Sequence, residues 1–166
     1  MRLELIHRVG IGTDLHRLAS GRKLVLGHVH VEYDQGPVGH SDGDVVLHAI
    51  IDAMAGAAGL PDIREIFPDN DPAWKDVDSA ILLEKAREHM AGKRLQVVNV
   101  DATIHLERPK LKPYKALIRA EVARLLRLDA DSVSIKAKTN EGVDAVGRGE
   151  AVVCTAIVGL RSTERT

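Results

Sequence analysis

Apolar positions recur along this chain with two periods. Leu3 and Leu5, then Val9 and Ile11, alternate loosely with polar neighbours and predict a strand over residues 2–12. Residues 23–26 and 29–31 flank Gly27–His28 as a hairpin, and residues 34–39, with Gly36–Pro37, read as loop. A helix follows, capped by Ser41 or Asp42 and stopping near residues 56–59, before Pro61. Residues 61–76, rich in proline and acids, read as loop or short turns, and 79–90 as an amphipathic helix. Alternation over 95–106 predicts a strand, 115–127 a helix and 132–137 another strand. A glycine-rich loop then leads to a last strand over 151–160, apolar throughout and therefore expected at the centre of its sheet. The sum is one α+β domain over residues 1–166: a mixed sheet of about four strands with helices on one face. The other face is left to be buried, so self-association is expected.

The helix after residue 42 breaks the pattern in one respect. It is apolar nearly all round, yet Asp44, His48 and Asp52 recur every four residues. Steps of four drift by about 40°, so the three lie on one narrow band. Burying each without a partner costs roughly 1–3 kcal/mol, so the band must face water, a partner or a metal. At the first strand, Asp14 and His16 are two apart and point to one side. Asp14, His16 and His48 together offer one oxygen and two nitrogens with a fourth position open, the catalytic zinc pattern, with Mn²⁺ or Fe²⁺ as competitors. Asp52, one turn beyond His48, is placed to accept the other imidazole N–H and orient the ring.

Composition narrows the partners. Lys plus Arg is 23 and Asp plus Glu 24, so no net field attracts nucleic acid or an anionic membrane. Four aromatics, Tyr33, Phe67, Trp74 and Tyr114, are too few for a base-stacking platform. No apolar run reaches the ~18 residues of a membrane span. The single cysteine, Cys154, sits in an apolar run and reads as an inert core thiol, which fits a reducing cytoplasm.

Further motifs carry chemistry of their own. Gly39 to Gly43 opens the apolar helix, where backbone N–H groups favour an anion and His40 and Ser41 add donors. Residues 136–150 combine glycines with Lys138, Thr139, Asn140, Glu141 and Arg148; glycine permits close approach to phosphate, Thr139 donates, and Glu141 suits a second, hard cation such as Mg²⁺. In residues 106–115 prolines fix a lysine-bearing loop, and the acids of 61–71 can bind sugar hydroxyls.

Taken in order, D-L-H, G-H-S-D-G-D-x-x-x-H-A-x-x-D-A, G-L-P-D-I-x-x-x-F-P-D-x-D-P, R-P-K, K-x-K-T-x-E and G-R-G-E span residues ~9 to ~160. This chain of motifs resembles the 2-C-methyl-D-erythritol 2,4-cyclodiphosphate synthase family. The resemblance implies a homotrimer packing its sheets around a threefold axis, with active sites between subunits. It implies a phosphorus–oxygen lyase of non-mevalonate isoprenoid biosynthesis acting on 4-diphosphocytidyl-2-C-methyl-D-erythritol 2-phosphate and releasing CMP. Carried over by position, Asp14, His16 and His48 hold zinc, and Glu141 holds Mg²⁺ or Mn²⁺ between the phosphates. His40 and Thr139 stabilise the transition state. Leu15, Ser41, Asp62, Ile63 and Arg64, with a wall of Phe67, Pro68, Asp69, Asn70 and Asp71, contact the substrate. Leu106, Glu107, Arg108, Pro109, Lys110, Leu111 and Lys112, with Lys138 and Thr139, form the CMP pocket, and Asn140, Ala145 and Arg148 are further substrate-binding positions.

Two positions depart from the family pattern. Thr13 stands where an aromatic is usual, and Val143-Asp144-Ala145-Val146 precede G-R-G-E where L-G-F-x is usual. The ring missing at Ala145 thins the apolar lining of the threefold channel. Asp144 opposes an anion beside Arg148, so weaker binding of isoprenoid diphosphates is expected. Two other readings of the residues stay open: a zinc hydrolase of a nucleotide-linked substrate, and a non-catalytic trimeric nucleotide-binding module.

Overall fold

The computed structural model describes residues 7–39, 41–68 and 70–163. The expected strand at residues 2–6, His40 and Asp69 lie outside the described residues. Among the described residues there are seven strands: β1 (His7–Ser20), β2 (Leu24–Leu26), β3 (Val29–Val31), β4 (Gln35–Pro37), β5 (Leu95–His105), β6 (Val133–Lys138) and β7 (Ala151–Ser162). The helices are α1 (Val45–Ala58), α2 (Ile63–Ile66), α3 (Ser79–Gly92), α4 (Lys115–Leu126) and α5 (Asp144–Gly147). The main sheet has the order β4-β1-β7-β5-β6, and β2 and β3 form the expected hairpin beside it. β5 and β6 are parallel, with α4 in their crossover, and the other pairings are antiparallel. The apolar β7 is the middle strand, as its sequence predicts.

The sheet has five strands rather than about four. The extra one, β4, falls in the stretch read as loop. Pro37 cannot donate to a ladder, but here it pairs with Leu18 on the sheet edge, where a missing N–H is tolerated. β1 also runs past Gly12, which is no terminator. A Cβ at Gly12 would sit 2.1 Å from the Ala49 carbonyl oxygen, and one at Gly10 2.0 Å from that of Ala53. These glycines, facing Ala49, Ala53 and Ala57, let α1 lie directly on β1.

α1 lies across β1 and β7, α3 against α1 and β5, and α4 against β6. Nearly every side chain of α1 is buried, including Leu47, Ile50, Ile51 and Met54. The sheet's other face is bare: Val9, Ile11 and Leu15 are 74, 68 and 62 % exposed, and Ile157 joins them from β7. Cys154 is a buried free thiol, its pKa pushed up first by burial and then by the charges of Asp44 and Asp14.

Candidate metal centre and a second, lysine-lined cavity

α1 is capped neither by Ser41 nor by Asp42 but by Asp44, whose carboxylate accepts the N–H groups of Val46 and Leu47 at 3.1 Å. The same carboxylate accepts from Gly27 at 2.9 Å and His28 at 2.6 Å, tying the hairpin to the helix start. Asp44 is fully buried, and burial pushes its pKa up to about 6 against the pull of those N–H groups. The first polar residue of the stripe is thus a structural cap.

The second, His48, meets β1. Its Nδ1 lies 3.0 Å from Asp14 Oδ2, and His16 Nδ1 lies 3.0 Å from the same oxygen. Asp14, His16 and His48 each present an atom within 4.8 Å of the other two, and both imidazoles are buried. His16 Nδ1 is off the line of a hydrogen bond and, though buried, has no hydrogen-bond partner. Two nitrogens converging on one carboxylate oxygen, one of them unpartnered, fit a divalent cation better than a hydrogen-bonded trio. Burial alone would raise the Asp14 pKa; the facing imidazoles overcome it and hold the carboxyl well below the usual range. Burial pulls the His48 pKa down, and the bond and charge of Asp14 more than reverse that.

The third residue, Asp52, does not orient His48. Its Oδ1 accepts from Ile63 N–H at 2.7 Å and anchors the start of α2, because the helix points it toward residues 62–63 rather than back along its own axis. The nitrogen it was expected to hold, His48 Nε2, lies 2.8 Å from Ser79 Oγ and 3.3 Å from Ser41 Oγ. Ser79, buried at the first turn of α3, donates its hydroxyl to Asp42 in a hydrogen bond. The sequence reading missed Ser79; its one signal was Asp78–Ser79 at a helix start.

A cavity of about 60 Å³ opens over the triad, lined also by Ser41, Ile63, Arg64, Phe67, Trp74 and Leu82. It has room for an ion and a few waters. Phe67 packs edge-on against Trp74, ring centroids 5.1 Å apart, and closes one wall. Trp74 and Leu82 were not anticipated as lining residues. Asp62 caps α2 and Asp71 caps the turn Pro72–Trp74 through its bond to Ala73 N–H, so both carboxylates are engaged by backbone N–H groups and neither lines the cavity. Pro68 is half-buried and Asn70 exposed. Leu15 projects onto the bare sheet face, so only its backbone faces the triad.

The other predicted residues gather elsewhere. Leu106, Pro109, Lys110, Leu111, Lys112, Lys138 and Thr139 line a separate cavity of about 370 Å³. Glu107 turns away to accept Asn140 N–H at 3.0 Å, and Arg108 lies near Gly149. Thr139, half-buried, donates to exposed Glu141 at 2.9 Å. Asp144, at φ 63° and the first residue of α5, accepts the N–H groups of Val146 and Gly147 and also accepts from Asn140 Nδ2 at 2.9 Å. Ala145 sits half-buried in α5, and Arg148 pairs twice with Glu150.

The fold and site define an α+β domain with a cluster of two imidazoles and one carboxylate that could hold a divalent cation, and a basic cavity apart from it. A model of the YgbB family matches residues 7–161. A 2-C-methyl-D-erythritol 2,4-cyclodiphosphate synthase of Solibacter usitatus is 52 % identical over 153 residues, 92 % of this chain and 96 % of the relative. That of Chloroherpeton thalassium is 47 % identical over 150 residues, 90 % and 96 % of the two chains. A solved synthase structure in a CDP-bound form shares 36 % identity at a TM-score of 0.86, covering 92 % of this chain and 99 % of its own. The chain belongs to the YgbB family, whose curated relatives are these cyclodiphosphate synthases.

Proposed function

We propose that this chain converts 4-diphosphocytidyl-2-C-methyl-D-erythritol 2-phosphate to 2-C-methyl-D-erythritol 2,4-cyclodiphosphate and CMP. The observation that carries this reading is the convergence of His16 Nδ1 and His48 Nδ1 on Asp14 Oδ2 beside a small cavity walled by Phe67 and Trp74. An oxygen of the 2-phosphate attacks the β-phosphorus; the bond from that phosphorus to the bridging oxygen breaks, and CMP leaves with the oxygen. Nucleophile and electrophile belong to one molecule, so the chain's task is to fold it into line. Asp62 and the 67–71 wall hold the erythritol hydroxyls, and the lysines of 106–112 with Lys138 take the cytidine phosphate. His40 and Thr139 donate to the β-phosphate as charge shifts. No side-chain nucleophile is required, in keeping with the buried Cys154.

Two imidazole nitrogens and a carboxylate oxygen suit Zn²⁺ with its fourth position open, and Glu141 offers a hard oxygen to Mg²⁺ or Mn²⁺. When bound, these cations supply charge neutralisation for the clustered phosphates. The chain works as a homotrimer in the cytoplasm. The bare apolar face of β1 and β7 is the surface that trimerisation buries, since patches of this kind mark protein interfaces. The trimer also brings the lysine-lined cavity of one subunit to the metal centre of the next. Arg148 is already paired with Glu150, which favours weak binding of isoprenoid diphosphates along the axis. Tight, Arg148-dependent binding of geranyl diphosphate in a calorimeter would overturn that part.

The test is metal analysis of purified protein combined with mass spectrometry of the product. The expected product is the cyclic diphosphate with one CMP. A linear product heavier by one water would indicate hydrolysis, and CMP binding without turnover a non-catalytic module; either would refute the cyclase reading.

A further inference from the structure

A line of hydrogen bonds runs from His48 through Ser79 to Asp42, with Ser41 Oγ standing further off, 3.3 Å from His48 Nε2. His48 Nε2 lies 2.8 Å from Ser79 Oγ. The Ser79 hydroxyl makes a short contact with Asp42 Oδ1, and the other Asp42 oxygen accepts Ser79 N–H at 3.0 Å. Asp44 N–H adds a third bond to the Asp42 carboxylate at 3.1 Å. Ser79 is fully buried.

Proton counting fixes the direction of this line. A carboxylate accepts only, so the one hydroxyl proton of Ser79 goes to Asp42. Ser79 Oγ can then face His48 only as an acceptor, and His48 Nε2 must carry hydrogen. The neutral imidazole that remains has its lone pair on Nδ1, the atom aimed at Asp14 Oδ2. Asp14 by itself would favour the opposite tautomer, with Nδ1–H donating to it and no lone pair for a cation.

We infer that Asp42 and Ser79 are positioning residues that hold His48 in the Nε2–H tautomer and so present Nδ1 to a divalent cation. This rests on the metal reading above. It gives Asp42, in the loop before α1, a role apart from capping, which Asp44 performs. It also couples the first turn of α3 to the metal centre, although Ser79 touches no ligand other than His48.

The test uses full-length protein and Co²⁺ or Zn²⁺ alone, without substrate. Ser79→Ala and Asp42→Asn are each expected to weaken Co²⁺ affinity by about 10–100-fold. The double variant should lose little more than either single one, because the two act through one line of bonds. In Zn²⁺-loaded wild type, ¹⁵N-resolved NMR should show a proton on His48 Nε2 that exchanges slowly with solvent. That measurement stands even if a variant fails to fold. Unchanged Co²⁺ affinity in Ser79→Ala, or a His48 proton found on Nδ1, overturns the inference while leaving the metal centre intact. Wild type that binds neither cation defeats the metal reading and the inference with it.

Discussion

The two cavities are built by opposite means. The triad sits on a long strand and the first turn of a buried helix, pressed together across Gly10 and Gly12, and its imidazoles are buried. The lysine-lined cavity is formed largely by the loop after β5 and the end of β6, with Lys110, Lys112 and Lys138 exposed. Regular elements hold a centre to the tolerance a metal demands, whereas a flexible phosphate ester can be gripped by exposed lysines that adjust to it. In one chain the first cavity has its three candidate ligands assembled, while the second is lined by lysines and Thr139 and shares no lining residue with the first. The difference teaches that the candidate cation centre is assembled within a single chain, whereas the lysine-lined cavity lies apart from it.

Removing the first region should have the largest effect. Asp14→Ala and His48→Ala are each expected to abolish CMP release, by ~10³-fold or more, since a bound cation contributes several kcal/mol. Circular dichroism and sedimentation should show the fold and assembly unchanged; full activity in metal-free protein would contradict the centre's role. A mixing experiment addresses the second region. His48→Ala and Lys138→Ala proteins, each impaired alone, should recover roughly a quarter of wild-type activity when unfolded and refolded together, if each site draws on two chains at random. No recovery would place the whole site within one chain.

Gly12→Ala probes how the first region is held. Its new Cβ would meet the Ala49 carbonyl at 2.1 Å, so α1 must move away from β1. A loss of about 1–3 kcal/mol in stability is expected, read as a lower urea midpoint, together with weaker metal binding. Wild-type stability would show that α1 and β1 can part without harm.

The smallest effect concerns His28, in the turn of the β2–β3 hairpin. Its Nδ1 is 2.9 Å from Glu121 on α4 and its Nε2 3.0 Å from Asp78 before α3. The bond to Glu121 raises its pKa above the ordinary value, burial opposes this, and Asp78 adds to the rise. The charged form is therefore favoured in the folded state. Its contribution is fully present below about pH 6.5 and is lost as pH rises through the raised value. The residue is partly exposed, so the change should stay under about 1 kcal/mol. Urea midpoints measured from pH 6 to 9 should decline in wild type and flatten in His28→Asn, a residue that tolerates its φ of 63°. Equal slopes would remove His28 as the cause.

Much of the fold was legible because its cues are local. β7 read as central from its unbroken apolar run, and the hairpin from Gly27–His28 between two short apolar stretches. β4 was not legible: Gln35-Gly36-Pro37 has turn composition, and only pairing with β1 makes it a strand. Gly12 misled for a related reason, since its role lies in a helix dozens of residues away. At the site, Asp14 and His16 were readable from their two-residue spacing. The Asp44–His48–Asp52 stripe was readable as a band but not as three jobs.

The amino-acid order by itself determined the elements, the ligand types and the single polar seam on an apolar helix, because periodicity and side-chain chemistry are local properties. The tertiary structure decided which seam residue caps, which joins Asp14 and His16 and which anchors a neighbouring turn. It also decided that Ser79, 31 residues beyond His48, and not Asp52, holds that ring. Hydrogen bonds and coordination act over about 2–3 Å. Whether two groups come that close is set by how strand, helix and loop pack, which spacing along a chain does not encode.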